Sequence, residues 1–402
     1  MPLQTMKTSL RSTLMPSSPI RKLAAFADEA KARGIHVYHL NIGQPDIKTP
    51  PAALEAMRNI DRSVLEYSPS QGYIGLRRKL AEYYAGFGIV LDPDEIIITT
   101  GGSEAVLFAF MTCMDPGDEI IVTDPSYANY MAFAKSCGAV VKSVRTRMED
   151  GFRLPPVERF EEQIGPRTRA ILICNPNNPT GYLYTRKEML QIRDIVARHG
   201  LFLISDEVYR EFIYTGKPYI SALHLDGIGQ NTILIDSVSK RYSECGIRVG
   251  ALISRNPDVR AAVMKFCQAR LSPPLIGQII AEASVDTPES YMKAVHDEYK
   301  ARRDFLLEGL NKIPGVYSPV PPGAFYTMVR LPVEDAEDFC RWCLTDFSYN
   351  GKTVMMAPGA GFYTGEGEGR NEVRMAYVLN REDLAAALEV LEKALEAYPG
   401  RK

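Results

Sequence analysis

A lysine stands at the mouth of an apolar run in Thr232-Ile-Leu-Ile-Asp-Ser-Val-Ser-Lys240, with Ser237 three residues before it and Arg248 eight residues after it. A hydroxyl and a guanidinium suit an anion such as a phosphate, and an amine beside them suits the trapping of an electrophile. The same residues also fit a plain strand, turn and second strand with two solvated cations, so the rest of the chain has to decide.

Further stretches place chemistry in similar positions. Thr99-Thr-Gly101-Gly102-Ser103 follows an apolar run and opens a helical one, where glycine backbone and free N–H groups can meet an anion. Its spacing is neither G-x-G-x-x-G nor a Walker loop, so no nucleotide is implied, and a helix cap fits it as well. In Cys174-Asn-Pro-Asn-Asn178-Pro-Thr-Gly181, two Asn-Pro steps force extended backbone ahead of a Thr-Gly turn and present the Asn178 amide at a strand end. Leu203-Ile-Ser-Asp206-Glu-Val-Tyr209 sets a carboxylate at the end of an apolar run, costly to bury unless a cation or strong donor meets it. The Gly43-Gln-Pro-Asp46 turn brings bare N–H groups to a surface, for an anion or merely to turn the chain.

The elements that must position these groups alternate. Apolar runs at 96–100, 120–123, 140–144, 170–174, 201–205, 232–236 and 249–254 read as strands, with helices such as 103–114, 126–137 and 186–199 between them. That order predicts an α/β fold on a mostly parallel sheet covered on both faces, with ligands at the carboxyl ends of its strands. Ahead of it come a helix from Pro19 to Arg33, a strand at 37–42 and helices at 50–60 and 75–87. Helical patterns dominate 258–311, with 291–310 as one long helix between domains. Strands at 325–331 and 373–377, helices near 334–346 and 381–396, and a Gly-rich mobile loop at 359–369 complete the chain.

A chain of 402 residues exceeds what one core usually supports, which predicts two domains. The net charge of -2 gives no field to draw in nucleic acid or an anionic membrane, and no apolar run reaches the roughly 18 residues of a span. Seven cysteines sit within periodic apolar segments; Cys340-x-x-Cys343 reads as core packing and not as a metal or redox pair, so no metal site is expected. A reducing, cytoplasmic setting follows. The first twenty residues carry Lys7 and Arg11 and no acid, faintly like a transit peptide but without a long apolar core.

Taken together, Tyr67-x-Pro-x-x-Gly72, Gly102-Ser103, Asp124-Pro-Ser-Tyr127, Asn178-Pro-Thr-Gly181, Asp206-Glu-Val-Tyr209, Ser237-x-Ser-Lys240, Gly246-x-Arg248-x-Gly250 and Arg374 resemble, in order, a class I, fold-type I pyridoxal-phosphate aminotransferase of the aspartate aminotransferase superfamily. The resemblance runs from about residue 15 to the C-terminus. It implies a large cofactor-binding domain at 49–298 on a mostly parallel seven-stranded sheet. A smaller α+β domain is then drawn from both termini, 1–48 and 299–402.

The resemblance also assigns roles. Lys240 forms the Schiff base with pyridoxal 5'-phosphate, Asp206 pairs with the pyridine nitrogen, and Tyr209 and Asn178 bond the phenolic oxygen. Tyr127 stacks on the ring. Gly101, Gly102, Ser103, Ser237 and Arg248 hold the phosphate, with Tyr67 reaching in from a second subunit of a homodimer. Arg374 takes the substrate carboxylate, assisted by Asn178 and the Gly43 backbone, as an amino acid and a 2-oxo acid exchange through the pyridoxamine form in ping-pong order. Aspartate with 2-oxoglutarate is the expected pair.

Substrate choice is the thinnest part. One aspartate aminotransferase branch has a lysine where this chain has Ser103, so Arg270 and Arg21 are the candidates for a distal carboxylate, and either could be a solvated charge. The same motifs serve beta-lyases that eliminate thiols and synthases that eliminate from S-adenosylmethionine. A non-enzymatic regulator on this fold would need a DNA-binding segment, and no basic patch precedes residue 15.

Overall fold

The computed structural model describes residues 6–402; the first five residues of the expected N-terminal arm lie outside that range. Twelve strands follow in chain order. They are β1 (His36–His39), β2 (Ile96–Thr99), β3 (Glu119–Asp124), β4 (Val140–Arg145), β5 (Thr168–Cys174) and β6 (Phe202–Asp206). After these come β7 (Thr232–Ser237), β8 (Gly250–Ile253), β9 (Tyr326–Arg330), β10 (Lys352–Met355), β11 (Ala357–Pro358) and β12 (Glu372–Ala376).

Seven of them form one sheet in the order β2-β8-β7-β6-β5-β3-β4, parallel except for β8, which runs against both neighbours. The reason is compositional: Ile-Ile-Ile-Thr in β2, Ala-Ile-Leu-Ile-Cys in β5 and Thr-Ile-Leu-Ile in β7 are apolar on both faces, so each strand must be covered twice. Helices Gly101–Cys113 and Arg186–His199 do this from opposite core clusters. From β3 the chain steps outward to β4, then returns past β3 to β5 and proceeds the other way to β6 and β7. This opens a crevice at the carboxyl ends of β3 and β5.

Two small sheets lie elsewhere. β1, from the N-terminal segment, pairs in parallel with β10, and β11-β12-β9 form an antiparallel ladder. The 22-residue helix Glu289–Leu310 packs on the terminal helix Arg381–Ala397. All seven cysteines are free thiols, and Cys340 and Cys343 are buried in the core.

Two expectations need correction. The helix drawn from Pro19 begins only at Ala24. Residues before it are turns, with the Arg21 and Lys22 N–H groups both donating to the Ser18 carbonyl, and this presents Ile20 and Arg21 to the crevice. The Gly-rich segment 359–369 is tied down and is not a free loop. Gly359–Phe362 is a 3-10 turn, the Thr364 hydroxyl donates to Asp124 Oδ2 at 2.5 Å and the Tyr363 hydroxyl to Glu372 at 2.7 Å.

Candidate active site

A cavity of about 750 Å³ opens at the carboxyl ends of the central strands and takes in Gly43, Gly102, Ser103, Tyr127, Asn178, Asp206, Tyr209, Ser237, Lys240, Arg248 and Arg374. Sequence-distant residues thus meet because parallel strands deliver their C-terminal residues to one edge.

One wall is cationic. The helix Gly101–Cys113 starts with no side-chain cap, which leaves its first N–H groups free, and Gly102 and Ser103 face the cavity. Arg248 lies across this start. A Cβ on Gly101 would fall 2.3 Å from Arg248 Nη2, and Gly101 has a φ of +76°, so the position requires glycine twice over. Ser237 caps the turn Val238–Arg241, its Oγ accepting from the Ser239 N–H at 3.2 Å, while Arg248 Nη1 donates to the Cys245 carbonyl at 2.9 Å.

On the floor, Asp206 is 7% exposed and meets only neutral donors. The Tyr130 hydroxyl donates to its Oδ2 at 2.6 Å and the Val208 N–H to its Oδ1 at 3.3 Å. Burial pushes its carboxyl up to about 6, which those hydrogen bonds only partly oppose. Lys240, half-buried, donates from Nζ to the Gly43 carbonyl at 2.9 Å, with Cys245 Sγ at 3.5 Å. Gly43 thus presents its carbonyl to the lysine, and a Cβ there would overlap the Tyr326 hydroxyl.

The far wall belongs to Arg374, 1% exposed. Its Nη1 donates to Asn178 Oδ1 at 3.0 Å and its Nη2 to the Asn41 carbonyl at 2.6 Å; its Nε has no partner. The guanidinium lies 4.4 Å from the Tyr326 ring centroid and 4.9 Å from that of Phe362. Burial pulls it below the ordinary arginine pKa, so a carboxylate arriving here would restore what was lost on leaving water. Asn178 also reaches the Tyr209 hydroxyl at 3.5 Å, which bonds the Tyr326 hydroxyl at 3.1 Å.

Three expected residues do not line this cavity, among them Gly101, which lies against Arg248. Arg270 is closed off: its Nη1 pairs with Glu104 at 3.1 Å and its Nη2 donates to the Ser70 and Ile98 carbonyls. Tyr67 is 75% exposed and does not line its own chain's cavity. Conversely, Tyr130, Tyr326 and Asn41 stand at the site without having been singled out. Tyr130 lies three residues beyond Tyr127, one helical turn on, and that spacing was the available signal.

These groups fit pyridoxal phosphate. A buried carboxylate without a cation suits a protonated ring nitrogen, the free helix start and Arg248 suit a phosphate, and an amine lines the same cavity. Fold and site together define an α/β enzyme of the fold-type I class. The chain belongs to the aminotransferase class I and II family, whose model matches residues 35–391. It is 30% identical over 393 residues to an aspartate/prephenate aminotransferase of Thermus thermophilus, covering 96% of this chain and 98% of that one. Among solved structures, it matches an aspartate aminotransferase from Thermus thermophilus with maleate at a TM-score of 0.86 and 29% identity, over 97% of this chain and 100% of that one. An alanine aminotransferase from Pyrococcus furiosus matches at 0.88 and 30%, over 98% of this chain and 100% of that one. This chain is an aminotransferase, and its family implies pyridoxal phosphate with amino acid and 2-oxo acid substrates.

Proposed function

We propose that the enzyme moves the amino group of aspartate to 2-oxoglutarate through two half-reactions in this one cavity, with pyridoxal phosphate as the carrier. The observation that carries the reading is that Lys240, Asp206 and Arg374 face the same space, each lacking an opposite charge among the described residues. Bound pyridoxal phosphate supplies a ring that delocalises the electron pair left when the substrate α-proton departs.

This chain's residues do the rest. Asp206 pairs with the ring nitrogen and is relieved of its unpartnered burial. The helix start, Ser103, Ser237 and Arg248 hold the phosphate, and Tyr127 packs on the ring. Tyr209 and Asn178 hold the phenolic oxygen. Arg374 would take the substrate α-carboxylate in a fork that Asn178 orients, and Lys240 Nζ would be the base that accepts the substrate α-proton. Tyr67 serves the site of a second copy in a homodimer, a reading supported by its own exposure and that of its chain neighbours Val64 and Leu65.

For the distal carboxylate the reading favours Arg21 over Arg270: Arg21 is exposed at the cavity mouth, whereas Arg270 is engaged by Glu104. The Thermus thermophilus enzyme named with maleate, a dicarboxylate, supports a site for two carboxylates. A panel of donors against 2-oxoglutarate tests this. Aspartate should outrun alanine and aromatic donors, and Arg21→Ala should lower kcat/KM for aspartate about tenfold more than for alanine. Equal losses remove Arg21 from that role. Pyruvate and ammonia formed from a cysteine conjugate without any oxo acid would point to a beta-lyase instead.

A further inference from the structure

Behind the cavity lies a second set of charges that the reaction as described does not use. Each member adjoins in sequence a residue facing the cavity: Glu207 beside Asp206, Arg210 beside Tyr209, Asp236 beside Ser237 and Arg241 beside Lys240. All four are at most 3% exposed. Successive residues on a strand or turn point different ways, so one backbone course feeds both sets.

Asp236 is the hub. Arg241 Nη2 donates to both its oxygens, at 2.7 and 2.9 Å, and Arg210 Nη2 lies 3.4 Å from Oδ1. The Tyr84 hydroxyl donates to Oδ2 at 3.0 Å and the Ser237 N–H to Oδ1 at 2.8 Å. Arg241 also lies 4.0 Å from the Tyr83 ring centroid and 3.4 Å from Glu211 Oε1. Burial pushes the Asp236 carboxyl up, but the two guanidiniums outweigh it and hold it down at about 2.

Lys240 is carried by the four-residue turn Val238–Arg241, too short to be stable alone. Its orientation therefore depends on its anchors: Ser237 at the start, and the Arg241 side chain folded back on Asp236 at the end. We propose that the Asp236–Arg241 pair fixes the rotation of this turn, making Arg241 a positioning residue for the Lys240 amine. Because Lys240 and Arg241 point about 100° apart on the turn, pinning one into the core aims the other at the cavity.

The test uses the holoenzyme of Arg241→Met, Arg241→Lys and the double variant Asp236→Ala/Arg241→Met. It reads kcat and KM for the donor, Tm, and the pH midpoint of the bound cofactor's visible absorption. Arg241→Met should lower kcat about 10- to 100-fold with KM changed by no more than about threefold. The midpoint should move up by at least about half a unit, as the Asp236 charge loses its nearest counter-ion. Arg241→Lys should recover most of both. The double variant should regain part of the lost Tm while staying slow, with its midpoint returned toward that of the unaltered enzyme now that the Asp236 charge is gone. An Arg241→Met enzyme with unaltered kcat and midpoint overturns the proposal. So does a double variant that regains rate together with Tm, which also decides the matter if Arg241→Met fails to fold. The proposal rests on Lys240 as the cofactor-bearing lysine: a visible band surviving in Lys240→Ala sinks that assignment, whereas an unmoved band in Arg241→Met sinks only this one.

Discussion

The two faces of the β6 and β7 ends hold charge in opposite ways. Toward the cavity, Asp206 has only neutral donors and Lys240 only a carbonyl and a thiol. One residue away, Asp236 accepts from Arg241, a tyrosine and a backbone amide, and a second arginine, Arg210, lies 3.4 Å from it. A buried charge is costly unless paired, so a folded chain tolerates the first arrangement only where something arrives from outside to complete it. Incompleteness, more than the mere presence of charge, separates the face that binds from the face that supports.

The largest break in that comparison is Lys240→Ala. It should lose the visible cofactor absorption and about 10^4-fold or more in turnover, because no other described amine faces Asp206 across the cavity. Retained transamination would show that the open face is not the reacting one.

A sharper test is Asp206→Asn, which should lose about 10^2- to 10^3-fold in kcat yet stabilise the protein freed of cofactor at pH 8. The sign follows from linkage. The folded carboxyl titrates at about 6, above its ordinary 3.8. Between those values the native state holds a proton that the unfolded chain has released. Its stability is therefore full below the lower value and lost as pH rises through the upper one, about 3 kcal/mol. Asparagine removes that slope, and a chemical-denaturation series from pH 4 to 8 measures it. An unchanged slope would mean that Asp206 is not the isolated charge described.

The smallest effect should come from Arg270→Ala. Glu104 and the Ser70 and Ile98 carbonyls already engage its guanidinium, so removing it should cost about 1–3 kcal/mol of stability and change aspartate and alanine kinetics alike. A selective loss of aspartate would return it to the cavity side.

Most of this was legible in the sequence. β-branched runs with turn residues at their ends mark the large sheet to within a residue or two at most ends, and polar residues ending apolar runs mark the cavity floor. The cofactor-facing motifs are each local, which is why they could be read singly. The pairing of Arg270, at the end of the helix Pro257–Arg270, was not legible because its partner Glu104 lies 166 positions earlier. The role of Arg241 was not legible, since Tyr83 and Tyr84 lie on the helix Ile74–Ala85 and Arg210 on another loop. Long-range pairing of buried charges leaves no periodic trace in a chain. Arg21 reached the cavity through turns at 18–23 that helical spacing did not anticipate.

The bond from Arg374 to the Asn41 carbonyl joins residues 333 positions apart. The pairing of β1 with β10 likewise closes the chain's beginning on its end. Such contacts demand a large loop-closure entropy, and during synthesis they must wait for nearly the whole polypeptide to emerge. The large sheet, from β2 to β8, can assemble earlier, with the cavity-facing lysine and carboxylate already in place. On the roles proposed above, substrate recognition is then the last property this protein acquires as it folds, after the surface that would hold the cofactor.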